Sequence, residues 1–235
     1  MTHDLSALPA TVRTRLDDLR VVLRATLGES LTALLVYGSL PRGEYRPDYS
    51  DVDVLLVLAA PTRASLESIA GPLQLARNAA RIECMILDAA EIPHAADVFP
   101  LLYDDIRRCH ILLHGVDPFA DLRIDPAHIR LRIEQELREA RIRLRRMVAD
   151  GGGRRAALRG AVERKLKQIR EPLAALLRLR GEPDVPEALA DVLTRAAAVY
   201  GLDPAPLLDP AADPAAAHDR LAALFTAAID DVNAR

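Results

Sequence analysis

Two aspartates, two positions apart in an otherwise apolar segment, are the residues most suited to chemistry. Asp51 and Asp53 belong to the run SDVDVLLVL, which extends to Leu58. This composition predicts a buried strand over Asp51–Leu58, whose alternation would place both carboxylates on one face. Neighbouring carboxylates in an apolar environment repel each other and lose hydration. We therefore predict that Asp51 and Asp53 bind one or two Mg²⁺ ions, because hard divalent cations prefer oxygen ligands and commonly contact substrate phosphates.

The loop before these aspartates carries residue types that bind phosphate. The candidates are two glycines, two serines and two arginines: Gly38, Ser39, Arg42, Gly43, Arg46 and Ser50. Glycines let backbone N–H groups approach a phosphate closely, and a serine hydroxyl adds a neutral donor. Arginines bind phosphate oxygens in a bidentate manner, although both could equally be solvated loop residues. Ser50 is also expected to hydrogen-bond the neighbouring backbone ahead of the strand.

The order Gly38-Ser39, Arg42-Gly43 and Ser50-Asp51-Val52-Asp53 resembles the signature of the polymerase-β-like nucleotidyltransferase superfamily. The spacing is similar to that of aminoglycoside adenylyltransferases. It departs from their pattern in having Glu44 where a second glycine is usual and one additional residue before Ser50. The resemblance implies an α+β fold, with a small mixed-sheet nucleotidyltransferase core and a C-terminal all-α helical bundle. It also implies ATP or another nucleoside triphosphate as co-substrate.

A third carboxylate, Glu83, lies in the short apolar run RIECMIL at Arg81–Leu87, which predicts another strand. The resemblance implies a carboxylate on a strand next to the aspartates, either as a metal ligand or as the general base. We predict that Glu83 is catalytic together with Asp51 and Asp53. Burial beside two carboxylates would raise its pKa, which suits a base near neutral pH. The alternative is a surface residue on an edge strand.

Helices and strands alternate in the first half of the chain. The hydrophobic pattern predicts helices at Pro9–Leu27, Pro61–Ala80 and Phe99–Arg108, and strands at Leu31–Tyr37, Asp51–Leu58, Arg81–Leu87 and His110–His114. Residues 1–122 are therefore predicted to form the nucleotidyltransferase catalytic domain. After Leu122 the pattern is helical, at about Pro126–Ala149, Ala156–Arg180, Pro186–Tyr200 and Asp213–Val232. Residues 123–235 are predicted to form an up-and-down helical bundle.

Charge and composition exclude several classes of function. The net charge of −3 and an aromatic content of 3% argue against nucleic acid as a partner. The segment from Arg130 to Arg180, however, contains 16 Lys and Arg residues but only six Asp and Glu residues. This segment is either the solvated face of long helices or a surface for phosphates or an acidic partner. Two cysteines, no signal peptide and no membrane-length apolar run predict a cytoplasmic protein.

Together these features predict transfer of a nucleoside monophosphate, AMP from ATP, to a hydroxyl of a small-molecule acceptor such as an aminoglycoside-like compound. Two alternatives remain open from the sequence. One is a protein-adenylylating enzyme resembling antitoxins of this superfamily, with a protein acceptor. The other is a nucleotide-binding module without catalysis, which would have no need of a general base at Glu83. The sequence does not specify an oligomeric state.

Overall fold

The computed structural model describes residues 9–47 and 49–235. The chain divides into two compact units, Met1–Arg123 and Ile124–Arg235. In the described part of the chain, the first unit combines a four-stranded sheet with helices, and the second contains only helices. This is the α+β architecture that the sequence predicted, with a mixed sheet followed by a helical region.

The strands of the first unit form a mixed sheet in the order β3-β2-β1-β4. Strand β1 pairs antiparallel with β2 and β4, and β2 pairs in parallel with β3. The elements of this unit, in chain order, are α1 Ala10–Leu27, β1 Leu31–Tyr37, β2 Val52–Leu58, α2 Arg63–Ala80, β3 Ile82–Asp88, α3 Glu91–His94, α4 Pro100–Arg108 and β4 Ile111–Gly115.

Alternation along β2 separates the core of this unit from the candidate catalytic face. The even-numbered residues from Val52 to Leu58 belong to one buried apolar cluster with the stripe of α1 and with Ile69 of α2. Because strand side chains alternate, Asp53 lies on the opposite face of the sheet from α1 and α2. The hydrophobic core therefore orients the carboxylate away from the cluster that holds β2 in place.

Two strand boundaries differ from the prediction at the candidate site. Asp51 precedes β2, which begins at Val52, and Arg81 is the C-cap of α2 rather than the first residue of β3. Arg81 has left-handed backbone angles, φ 53° and ψ 38°, and its carbonyl accepts a hydrogen bond from Val52 N at 2.9 Å. The chain turns sharply from α2 into β3 here, and a left-handed residue makes that turn although no glycine is present.

The second unit is built on three long helices. Helices α5, α6 and α9 pack against one another through buried apolar faces, and α7 packs on α6. Arg155 at the start of α6 donates to Ala212 O at 2.7 Å, and Arg180 after its end pairs with Asp231, so α6 and α9 run in the same direction. The helices are α5 Pro126–Asp150, α6 Arg155–Leu179, α7 Leu189–Val199, α8 Ala205–Leu208 and α9 Pro214–Asn233. The short helices α3 and α8 were not predicted, because four residues carry too little periodicity.

Part of the basic segment is neutralised within its own helices. Arg132 pairs with Glu136 at 2.8 Å, and Arg159 pairs with Glu163 at 2.7 Å, each four residues apart on an exposed or half-buried helix surface. Such pairs are typical of solvated helix faces, which was the first of the two interpretations of this segment. Within the described residues, no helix combines the length and the apolar character that a membrane span requires.

Candidate active site

Asp53 is the centre of the candidate site. It lies on β2, an inner strand of the sheet, and is in register with Tyr37 on β1 and Glu83 on β3. Burial is the main cause that raises the pKa of Asp53 to about 6. The Asp51 carboxylate also raises this pKa, the Arg42 guanidinium lowers it, and Glu83 raises it further. An ionised Asp53 is therefore incompletely neutralised by its surroundings, which favours a bound cation.

The end of β1 places backbone directly against this carboxylate. Gly38 has a positive φ of 78°, and a Cβ built on it would overlap Asp53 Oδ2. Glycine is required here for two reasons, the left-handed backbone and the close approach of the carboxylate. The glycine that the sequence predicted for the phosphate loop thus also shapes the position of Asp53.

Replacing Gly38 with alanine should disable the site, and Gly43→Ala is the matched control. Gly43 has nearly the same φ, 74°, but nothing within 4 Å of its added Cβ. Both substitutions introduce backbone strain of about 1 kcal/mol, whereas only Gly38→Ala displaces Asp53. We expect Gly38→Ala to reduce divalent-cation affinity, measured by calorimetry, at least tenfold more than Gly43→Ala does. Equal losses would show that strain alone, and not contact with Asp53, explains the glycine.

Short backbone contacts stabilise the loop between β1 and β2. Glu44 N donates to Ser39 O at 3.0 Å, which closes the turn around the predicted phosphate-binding residues. The Ser50 hydroxyl accepts a hydrogen bond from Arg46 N at 3.1 Å, the local contact expected from the sequence. Arg46 itself is exposed. The roles of Ser39, Gly43, Arg46 and Ser50 in nucleotide binding remain predictions.

The other predicted phosphate ligand, Arg42, is engaged by carboxylates. Its side chain is only 10% exposed and pairs with Asp105 on α4 at 3.1 Å and with Glu44 at 3.4 Å. Glu44 occupies the position where the resembled pattern has glycine, so this departure supplies a partner for Arg42. The arginine therefore attaches the loop to α4, and this observed contact differs from the phosphate contact that the sequence predicted.

Removal of this guanidinium should destabilise the first unit. The Asp105 side chain is 7% exposed, so Arg42→Gln removes a charged partner from a largely buried carboxylate. We expect Arg42→Gln to lower the free energy of unfolding by about 3 kcal/mol, as measured by urea denaturation. The control is Arg46→Gln, at an arginine that forms no ion pair with any residue the structure describes. That change should stay within about 0.5 kcal/mol, and similar values for the two variants would contradict a bracing role.

Two arginines that the sequence analysis missed contact the other carboxylates. Arg81 Nε lies 2.9 Å from Asp51 Oδ1, and Arg77 Nε lies 2.8 Å from Glu83 Oε1. The Glu83 side chain is 43% exposed and β3 is an edge strand, so Glu83 is not the desolvated carboxylate that was expected. Its register partner Asp53 is the more buried of the two carboxylates, and burial raises the pKa of Asp53. One sequence feature could have indicated these arginines: Arg77 and Arg81 are four residues apart, and Arg81 comes two residues before Glu83.

The carboxylates suit a magnesium ion that is shared with a substrate. Mg²⁺ is usually held by one or two carboxylates, with water and substrate phosphates completing its coordination. Asp51 and Asp53 provide two such groups, and the incomplete neutralisation of Asp53 fits a cation. Within residues 9–47 and 49–235, no cluster of three or more His, Cys, Asp or Glu is arranged to hold a metal. Two carboxylates leave the other coordination positions of the ion to water and substrate, which is an open site.

Comparison with known proteins agrees with this fold. The family described as nucleotidyltransferase domain matches residues 22–143, which include β1 to β4 and every predicted site residue. The chain belongs to the nucleotidyltransferase domain family. Its structure is similar to that of the spectinomycin adenyltransferase AAD(9) from Enterococcus faecialis, solved with ATP and spectinomycin. That similarity has a TM-score of 0.53 and 12% identity, over 94% of this chain and 99% of the other.

These findings confirm the resemblance to polymerase-β-like nucleotidyltransferases that the sequence indicated. At 12% identity the similarity to the solved enzyme concerns the fold. A comparison with curated protein sequences found no match.

Proposed function

We propose that this protein transfers the AMP moiety of ATP to a hydroxyl of a small-molecule acceptor, with Mg²⁺ bound at Asp51 and Asp53. One observation carries the proposal. Asp53 is a partly buried carboxylate with a pKa raised to about 6, beside Asp51 and against the backbone of Gly38, inside a nucleotidyltransferase domain. A nucleotide-binding module without catalysis would not need to retain this unfavourable group.

In this proposal, the loop between β1 and β2 binds the nucleotide phosphates. The backbone around Gly38 and the Ser39 and Ser50 hydroxyls bind the nucleotide phosphates, and the exposed Arg46 is available to them. Gly43 shapes the turn of this loop, since its N–H donates to Leu40 O and the N–H of Glu44 donates to Ser39 O. Bound Mg²⁺ supplies charge neutralisation on the phosphates. Arg42 keeps the loop attached to α4 through Asp105.

Glu83 acts as the general base in this proposal. The acceptor oxygen forms a bond to the α-phosphorus while the bond between the α-phosphorus and the bridging oxygen breaks. Pyrophosphate leaves, and the acceptor hydroxyl proton passes to a Glu83 carboxylate oxygen. The partial exposure of Glu83 leaves it accessible to an acceptor from solvent.

The proposed acceptor class is an aminoglycoside-like or aminocyclitol compound. Support comes from the similarity to an enzyme solved with ATP and spectinomycin, which extends over nearly the full length of both chains. The match therefore includes the helical unit as well as the nucleotidyltransferase domain. A protein acceptor is the competing assignment.

A pyrophosphate-release assay tests this function. The full chain, Mg²⁺ and each of the four nucleoside triphosphates are incubated with spectinomycin, with representative aminoglycosides and with no acceptor. We expect release with ATP and an aminocyclitol or aminoglycoside, and a matching mass increase of the acceptor by one AMP. Absence of release under every condition would contradict enzymatic nucleotidyl transfer. Labelling of a co-expressed protein without labelling of any small molecule would favour the protein-adenylylating alternative.

A further inference from the structure

The two arginines at the carboxyl end of α2 form a distinct cation pair beside the candidate site. Arg77 and Arg81 are four residues apart, and each guanidinium contacts a different candidate carboxylate, Glu83 and Asp51 respectively. Their side chains are 67% and 50% exposed, so neither is fixed by packing. Guanidinium groups on exposed side chains can exchange one anionic partner for another at low energetic expense.

The backbone conformation of Arg81 indicates that the arginine side chain has a function at this position. Its left-handed conformation, φ 53°, follows a helix end where glycine is the favoured residue. Arginine occupies this position although glycine would adopt the left-handed conformation more easily. Besides Asp51, the Arg81 guanidinium lies 3.5 Å from Tyr49 O in the loop that leads to the aspartates. Arg81 therefore lies between the loop and the first predicted metal ligand.

The charges of this cluster also point to an exchange of partners. The cluster consists of the three candidate carboxylates and the guanidiniums of Arg77 and Arg81. Arg42 is left out of it because its side chain pairs with Asp105 and Glu44. A divalent cation on the aspartates changes the net charge of the cluster from −1 to +1. The net charge of these five groups is then positive, which favours an anion beside the two guanidiniums. A polyphosphate is the anion that arrives at such a site with the proposed substrate.

We propose that Arg81 and Arg77 neutralise Asp51 and Glu83 in the metal-free protein and bind the pyrophosphate end of the nucleotide once a divalent cation occupies the aspartates. The inference rests on the proposed function, because it assigns partners to the same carboxylates. Arg81 is a competitor of the cation for Asp51 and then an electrostatic partner of the phosphates. Arg77 contacts Glu83 and not an aspartate, so it contributes to phosphate binding with little effect on the cation.

The proposal predicts opposite effects on two ligands, both measured without turnover. Arg81→Gln should bind Mn²⁺ about two- to fivefold more tightly than wild type in the absence of nucleotide, since an exposed ion pair no longer competes. At saturating Mg²⁺ the same variant should bind inorganic pyrophosphate about three- to tenfold more weakly. Arg77→Gln should weaken pyrophosphate binding similarly and leave Mn²⁺ affinity within about twofold of wild type. Calorimetry reports both affinities.

Arg63→Gln is the matched control. Arg63 is on the same helix and pairs with Glu67 four residues on, at 3.4 Å, with side chains 90% and 63% exposed. It should change neither affinity. If Arg81→Gln matches Arg63→Gln for either ligand, or binds Mn²⁺ more weakly than wild type, the proposal is wrong. Arg77→Gln provides the same test of phosphate binding if Arg81→Gln proves unfolded by circular dichroism, and unchanged pyrophosphate affinity would then overturn the proposal.

The wild-type measurements separate this inference from the proposed function. If wild type and Asp53→Asn bind Mn²⁺ equally, the metal site at the aspartates fails, and the proposed function fails with it. If Asp53→Asn loses Mn²⁺ binding while the arginine variants behave as the control, the metal site stands and only the role of the arginines is rejected.

Discussion

Asp53→Asn should reduce nucleotidyl transfer by about 10³-fold or more and, at the same time, stabilise the folded protein. The loss follows because asparagine replaces an anionic ligand at the point where a cation neutralises the substrate phosphates, a contribution of several kcal/mol. The stabilisation follows because the ionised Asp53 carboxylate is partly buried beside Asp51. A neutral side chain of the same shape removes that unfavourable charge.

The pH dependence of stability gives the sign of the second effect. The pKa of Asp53 is raised from 3.8 to about 6 in the folded protein, so folding favours its protonated form. Stability from this group is fully present below about pH 4 and is lost as the pH rises through about 6. At pH 7.5, Asp53→Asn should therefore exceed wild type by about 1 to 2 kcal/mol in unfolding free energy, allowing for partial solvation. Below pH 4 the difference should vanish.

Asp51→Asn is the matched comparison for this prediction. Asp51 is 48% exposed and paired with Arg81, so its replacement should remove transfer without a stability gain. The measurements are pyrophosphate release and urea unfolding at pH 7.5 and below pH 4. If Asp53→Asn keeps wild-type turnover, the metal site is wrong. If Asp53→Asn is less stable than wild type at pH 7.5, the electrostatic description of Asp53 is wrong.

Glu83→Gln should lower the turnover number by about 10²- to 10⁴-fold, the usual contribution of a general base. Glutamine retains the shape of the side chain and can still accept a hydrogen bond from Arg77, but it does not accept the acceptor proton. Nucleotide affinity, measured by calorimetry with Mg²⁺, should remain close to the wild-type value. The effect should therefore be confined to the chemical step.

Glu67→Gln provides a control of the same chemistry on α2. Glu67 pairs with an exposed arginine, as Glu83 does, but lies on a helix with no predicted role in transfer. This variant should have wild-type turnover. Loss of nucleotide binding in Glu83→Gln would make Glu83 a third metal ligand, and unchanged turnover would make it the surface residue that was the alternative interpretation.

Local sequence patterns were sufficient for the elements and for the motif. The apolar runs of β1 and β2 and the leucine stripe of α1 predict buried strands and a buried helix face within single elements, and all of them appear in the structure. Gly38, Asp51 and Asp53 were recognisable because their spacing lies within one strand-loop-strand segment. The side-chain hydroxyl of Ser50 likewise contacts backbone only four residues away. Such features depend on few residues and little on the rest of the chain.

Contacts between distant residues depend on packing. Arg42 meets Asp105 across 63 positions, and Arg81 meets Asp51 across 30, so local patterns in the sequence do not match either arginine to its carboxylate. The burial of Asp53 beside the more exposed Asp51 and Glu83 also follows from the position of each residue within the assembled sheet. The sequence by itself therefore determined the longer elements, the nucleotidyltransferase motif and the faces of its strands. Tertiary packing decided which charges neutralise one another, because Coulomb energy and hydration depend on distances that exist only in the folded protein.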